Sequence, residues 1–331
     1  MRYSAVGSWP GTQPLEAART VIGELGRPDG VPHLVELPGR GPGADLVGRG
    51  AALLVDMPVD LQPSGWRLVD HVGRDLARAR SMLTTDTDAL AEAADSWTGR
   101  LKVAVAGPWT LAAAVQLTRG ERSVVDAGAR RDLVESLAEG LAQHVADVRR
   151  LVPGAEVVVQ LDEPSLPSVL AGGLPTTSGW GRLPAVEAQE VEDGLRRVLA
   201  SAVDAGAVDT LVHCCAADAP LALLRGTGAA GVGLDVSTLG SRGWESVAVA
   251  VEAGTRLWAG AVPTSGALPS AQQVADAVAV PWRRVGLPAA DLASVVLTPA
   301  CGLAVASPDA ARATLTRVRE AADALAEMSS G

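Results

Sequence analysis

Residues 156–164 read EVVVQLDEP. A valine-rich run is closed by two carboxylates and a proline, which is how a short buried strand ends in a loop. One such run does not decide a fold, but its recurrence does. Comparable runs are YSAVG (3–7), HLVEL (33–37), KVAVA (102–106), TLVH (210–213), GVGLD (231–235), RLWAGA (256–261) and SVVLT (294–298), which with 156–161 make eight. Segments rich in Ala, Leu, Arg and Glu with helical spacing lie between them, for example 130–151, 188–205 and 308–328. Strand–helix alternation implies parallel pairing through right-handed crossovers. Eight units predict a single-domain (β/α)8 TIM barrel over residues 1–331, with an open doubly wound sheet as the alternative.

Composition bounds the function. The chain has 331 residues, 28 Lys and Arg against 38 Asp and Glu, and a net charge of −10. An acidic surface repels phosphate backbones, so nucleic acid is not an expected partner. The first twenty residues lack the continuous apolar core of a signal peptide, and no apolar run reaches the ~18 residues of a spanning helix. The expectation is a soluble, cytoplasmic protein with no membrane partner. There is no Phe, one Tyr and eight Trp, so the core is built from Ala, Val and Leu. Three cysteines make no disulfide framework and suit metal binding, chemistry or core filling.

Barrel loops after strand ends build sites. Two Gly/Pro-rich stretches follow such ends, PGRGPGADLVGRG (38–50) and AGGLPTTSGWGRLP (171–184). The first lacks the Gly-Lys-Ser/Thr ending of a phosphate loop and does not fit GxGxxG. The fifth strand runs into LVHCC, where alternation turns His213 and Cys215 to the same side and Cys214 away. An imidazole and a thiolate at this spacing are good zinc ligands. Asp235 ends the sixth strand and Cys301 follows the eighth, so one rim receives His213, Cys215, Asp235 and Cys301. Zinc there would favour the thiolate form of an incoming substrate thiol, and the thiolate is the competent nucleophile. Asp162 and Glu163 lie at the same mouth, where one of them can receive a substrate ammonium or simply cap a helix. Gly7 and Ser8 in VGSWP expose backbone amides that suit a carboxylate. Trp109 in AGPWTLA lines a donor pocket or fills core. No residue is assigned as a catalytic acid or base.

In order along the chain, VGSWP, AGPWTLA, VVQLDEPSL, VHCC, GLDVS and TPACGL resemble the catalytic C-terminal barrel of the cobalamin-independent methionine synthase family. That family lies within the uroporphyrinogen decarboxylase-like group. The resemblance implies zinc held by His213, Cys215, Asp235 and Cys301. It implies homocysteine held at its amino group by Asp162 and contacted by Gly7 and Ser8, and sulfur attack on a donor methyl group. The family's zinc glutamate is replaced by Asp235. Its homocysteine-binding glutamate after the second strand falls on LPGRG, with Glu36 nearby and out of register. Its seventh-strand histidine, a proton donor to the folate leaving group, has no counterpart in AGAVPTSGAL (259–268), and His33, His71 and His144 lie elsewhere. The full family enzyme has two barrels, of which this chain resembles one. The reading is a zinc-dependent methyltransferase acting on a small thiol, homocysteine first, with methylfolate or a methylated corrinoid protein as donor. Alkyl transfer to another thiol, a non-catalytic zinc- or amino-acid-binding descendant, and tetrapyrrole decarboxylation are the alternatives.

Overall fold

The computed structural model describes residues 1–330. Eight parallel strands form one sheet in barrel order: β1 (Tyr3–Ser4), β2 (Gly30–Val31), β3 (Gly99–Ala106), β4 (Ala155–Asp162), β5 (Asp209–Cys214), β6 (Gly231–Asp235), β7 (Arg256–Val262) and β8 (Val296–Pro299). Neighbours in sequence are neighbours in space, and β8 pairs with β1. The β2–β3 seam is closed by fewer bonds: Leu34 N–H donates to Lys102 O at 2.9 Å and Lys102 N–H to Pro32 O at 2.8 Å. This is a nearly closed (β/α)8 barrel.

The side-chain period of two divides each strand between two cores. On β4, Val157, Val159 and Leu161 join the large cluster between strands and helices. Val158, of opposite parity, joins Val31, Leu211, Trp258 and Val296 in a small separate cluster that plugs the barrel. Gln160 and Asp162 continue that inward row above the plug, as His213 does above Leu211. The sequence of one strand therefore grades from apolar floor to polar mouth.

The expected helices form with small shifts of their ends: Ala127–Leu151, Ala188–Asp204 and Pro308–Ser330. The first is stopped at its start by Asp126, whose carboxylate accepts from Ala129 N–H at 2.7 Å. Three strands differ from the expected spans. The first is regular over two residues only; beyond them, Ser8 bridges Glu36 outside the ladder. The second is regular at Gly30–Val31 rather than 33–37, because Pro32 has no N–H to continue it. Ser294 belongs to a short 3-10 turn, Ala289–Ser294, and the eighth strand starts at Val296. An antiparallel hairpin, Val59–Gln62 with Gly65–Leu68, lies in the long β2–β3 connection and was not expected. Its signal is Pro63-Ser64-Gly65, a turn that needs Gly65 at φ 113.

Candidate active site

The mouth is built from strand ends and the loops that leave them. His213 and Asp162 are directly paired residues in the β4–β5 register. The His213 Nδ1–H donates to Asp162 Oδ1 at 2.6 Å, and both side chains are buried. A carboxylate only accepts, so this bond assigns the proton to Nδ1 and leaves Nε2 without a partner. Asp162 Oδ1 also accepts from Gln160 Nε2 at 2.8 Å.

Cys215 and Cys301 come from loops that follow β5 and β8. Their sulfurs stand 3.4 Å apart. Both are partly exposed and neither is in a disulfide. Cys301 is drawn down to about 6, first by its bond to Cys215, with help from the Gly302 amide and His213. Cys214 faces the other way and is fully buried in the outer core, as alternation requires.

Asp235 is used locally. Its Oδ1 accepts from Ser237 N–H at 2.9 Å and from Ser237 Oγ at 2.6 Å, capping the turn Val236–Thr238. The expected four-residue ligand set is thus not assembled. Among the described residues no three His, Cys, Asp or Glu side chains form a group arranged to hold a metal. The sulfur pair is made, the histidine is held one partner back by Asp162, and the aspartate is in its own turn.

Asp162 and Glu163 part company at the strand end. Glu163 turns sideways and is fully buried. It accepts from Trp109 N–H at 2.9 Å, Thr110 N–H at 2.7 Å and Thr110 Oγ at 2.7 Å. These are the free amides at the start of the helix Pro108–Ala114. Burial pushes Glu163 up to about 7 against the pull of those bonds. A Cβ at Gly107 would lie 2.3 Å from Glu163 Oε1, so this arrangement requires glycine there. Glu163 is a cap, and Asp162 alone faces the mouth.

Trp109 does not line the mouth. It is 1% exposed, its indole N–H donates to Val191 O at 3.0 Å, and its ring packs on Gly194 of the neighbouring helix. Pro108 starts the helix and carries the ring into the outer core, the second of the two places the sequence left open for Trp109.

Gly7 and Ser8 sit against two other site loops. A Cβ on Gly7 would be 3.5 Å from Glu36 Oε1, and one on Gly302 would be 2.0 Å from Ser8 Oγ. Ser8 O accepts from Leu303 N–H at 2.9 Å, which ties the strand-1 loop to the Cys301-Gly302 turn. Glu36, set aside in the sequence as out of register, is at the mouth. Trp9 N–H donates to its backbone carbonyl at 2.8 Å, and its N–H donates to Gly7 O at 3.1 Å. Glu36 is 4% exposed, and among the described residues its carboxylate has no hydrogen-bond partner. Burial pushes it up to about 7; Arg49 pulls it down, and Asp162 pushes it up further. The spacing from the β-prone run hid this residue, because the regular ladder stops before it.

The cobalamin-independent synthase catalytic domain matches residues 1–324. The chain belongs to that family. By membership it is a methyltransferase, a catalytic domain of the cobalamin-independent methionine synthase kind. No curated protein sequence matches it. A solved B12-independent methionine synthase from Shewanella sp. W3-18-1, in complex with selenomethionine, is similar at 15% identity and TM-score 0.64. That match covers 98% of this chain and 97% of that one. At such identity the likeness shows the barrel fold. Two mandelate oxidase variant structures align at 17% and 16% identity over 95% of this chain, and 93% and 94% of theirs. Their TM-scores of 0.31 and 0.32 carry no argument. No helix among the described residues is long and apolar enough to cross a membrane.

Proposed function

We propose that this domain transfers a methyl group to the sulfur of a small amino-acid thiol, homocysteine to give methionine, with zinc bound at the mouth. The observation that carries the reading is the 3.4 Å approach of Cys215 and Cys301 beside a histidine with one nitrogen anchored and the other free. Two sulfurs on one tetrahedral zinc stand about 3.8 Å apart, so the pair needs little adjustment. The carboxylate behind His213 is the usual outer partner of a metal-ligating imidazole. His213, Cys215 and Cys301 would hold the ion. Asp235 would serve as a fourth ligand through Oδ2, because both Ser237 bonds are to Oδ1, and as the carboxylate shared with its own turn it would be the most readily exchanged of the set.

Zinc, when bound, supplies a Lewis acid that favours the thiolate form of a coordinating thiol at neutral pH. The chain does the rest. Glu36 has no protein partner and lies across Gly7 from Ser8, where it and Asp162 can receive the substrate ammonium. The Gly7 and Ser8 segment receives the carboxylate. The substrate sulfur then attacks the donor methyl carbon, and the new C–S bond forms as the bond to the leaving group breaks. A leaving nitrogen needs a proton, and general acids contribute ~10²–10⁴-fold. The stretch after β7 has no histidine to supply it. A methylated corrinoid protein, whose leaving group needs no proton, is therefore the favoured donor over methylfolate, and the cytoplasm is the expected setting.

The test is zinc content, followed by methionine formation from homocysteine with a panel of donors. Wild type should hold one zinc, and Cys301→Ser should lose zinc affinity by more than the 10–100-fold that an outer-partner loss costs. Undiminished zinc in Cys301→Ser, or homocysteine binding without transfer from any donor, overturns the reading.

A further inference from the structure

Lys102 is fully buried inside the barrel and register-paired with Val158 of the apolar plug. Its Nζ donates to Val6 O at 2.6 Å and to Gln160 Oε1. Gln160 Nε2 donates to Val6 O at 3.0 Å and to Asp162 Oδ1 at 2.8 Å. Asp162 Oδ1 in turn accepts the His213 Nδ1–H at 2.6 Å. A single hydrogen-bonded chain therefore joins an ammonium in the barrel interior to the imidazole beside the cysteine pair.

Each link has one possible direction. A lysine ammonium has donors only, and a carboxylate has acceptors only. Gln160 lies between them, so both neighbours demand the same amide orientation: oxygen toward Lys102, nitrogen toward Asp162. A flipped amide would set N–H against N–H and oxygen against oxygen. The fold does not need a lysine here. Val158, its register partner, belongs to the apolar plug with Leu211 and Trp258, and apolar replacement of a buried charge is often neutral or stabilising.

We infer that Lys102 is a positioning residue: by holding the Gln160 carbonyl it aims the Gln160 amide at Asp162, which fixes the His213 ring with Nδ1 bound and Nε2 free. Its contact with Val6 O anchors the strand entering Gly7 and Ser8 to the same point, so the substrate loop and the imidazole share one support. The consequence for metal binding rests on the reading of His213 as a ligand. The hydrogen-bonded chain itself does not.

The experiment therefore uses the full chain in both metal-free and zinc-titrated form. With four histidines in the chain, the His213 Nδ1 proton is assigned by its loss in His213→Gln. Metal-free wild type should show it as a sharp, strongly downfield resonance. In Lys102→Met and in Gln160→Met it should broaden by exchange or move upfield, and the double variant should be no worse than either single one. Zinc affinity by chelator competition should fall about 10-fold in the same variants. Gln160→Met leaves Lys102 its bond to Val6, and it decides alone if Lys102→Met does not fold. An unchanged Nδ1 proton in these variants, even with a lowered melting temperature, overturns the inference. Failure of wild type to bind zinc overturns the functional reading instead and leaves the proton test standing.

Discussion

The two ends of the barrel use charge in opposite ways. At the floor, the N-terminal ends of three strands meet: Asp209 of β5 accepts from Arg100 of β3 and from Arg256 of β7, the latter at 2.6 Å. Arg2, just ahead of β1, lies close enough that burial and these two arginines pull it down. One carboxylate thus gathers two of the three guanidiniums, and an apolar plug lies above. At the mouth, polar groups are left over. Among the described residues the Glu36 carboxylate and His213 Nε2 have no hydrogen-bond partner, and two thiols face each other. A structure that pairs its floor carboxylate with two guanidiniums has no comparable pairing at the mouth, where a ligand would complete the set. This matches the general division of such barrels, stability at the N-terminal face and chemistry at the C-terminal face.

The sharpest way to break that contrast is to remove the floor carboxylate. Asp209→Ala leaves Arg100 and Arg256 facing each other beside Arg2 with no counter-charge. Breaking a buried pair by removing one partner costs about 3–5 kcal/mol, and the quarter-exposed arginines bring the expected loss nearer 2–3 kcal/mol. Urea unfolding measures it. Zinc affinity of the folded fraction should be unchanged. A loss under about 0.5 kcal/mol would mean that the floor pairing is surface decoration.

The mouth predicts the reverse sign. Glu36 sits at about 7, above its ordinary value near 4.5, because burial disfavours its charged form. A raised acid holds its proton longer folded than unfolded, so folding stability falls as pH rises through the window from about 4.5 to 7. Glu36→Gln removes that penalty. The variant should be more stable than wild type by roughly 1–3 kcal/mol at pH 8, and the gain should vanish below about pH 4.5. Its KM for homocysteine should rise at the same time. A variant that is less stable at pH 8 would show that Glu36 has a structural partner, and the mouth would then resemble the floor.

The sequence carried the barrel because the alternation of valine-rich runs with helical segments follows from the two backbone periods. It carried Cys214 outward and Cys215 toward Cys301 for the same reason. What it missed lies where regular periods stop. Pro32 ends the second ladder early, so Glu36 is positioned by loop bonds to Gly7 and Trp9 that no spacing encodes. Asp235 was expected to reach a metal, and a serine two residues on already holds one of its two oxygens, a local contact that short polar side chains often make. Asp162 and Glu163 are adjacent and chemically alike, and only tertiary contact with the Trp109 and Thr110 amides separates them. Lys102 read as one polar residue in a strand. Its partners at positions 6 and 160 are remote in sequence.

Trp109 gives the smallest effect and the finest test of the boundary between mouth and core. Its motif position suggested a donor pocket, yet its ring lies between Val191 and Gly194 with its N–H on a carbonyl. Trp109→Phe keeps an aromatic ring and loses that one hydrogen bond, while the Val191 carbonyl keeps its place in the ladder of the helix Ala188–Asp204, so the loss costs about 1 kcal/mol. If the ring is packing alone, the melting temperature falls by a few degrees and KM for either substrate stays within twofold. A KM change for the methyl donor at unaltered stability would place the ring at the mouth after all. The two outcomes separate cleanly because Glu163 holds the Trp109 backbone amide in both proteins, so the helix start stays fixed while only the indole edge changes.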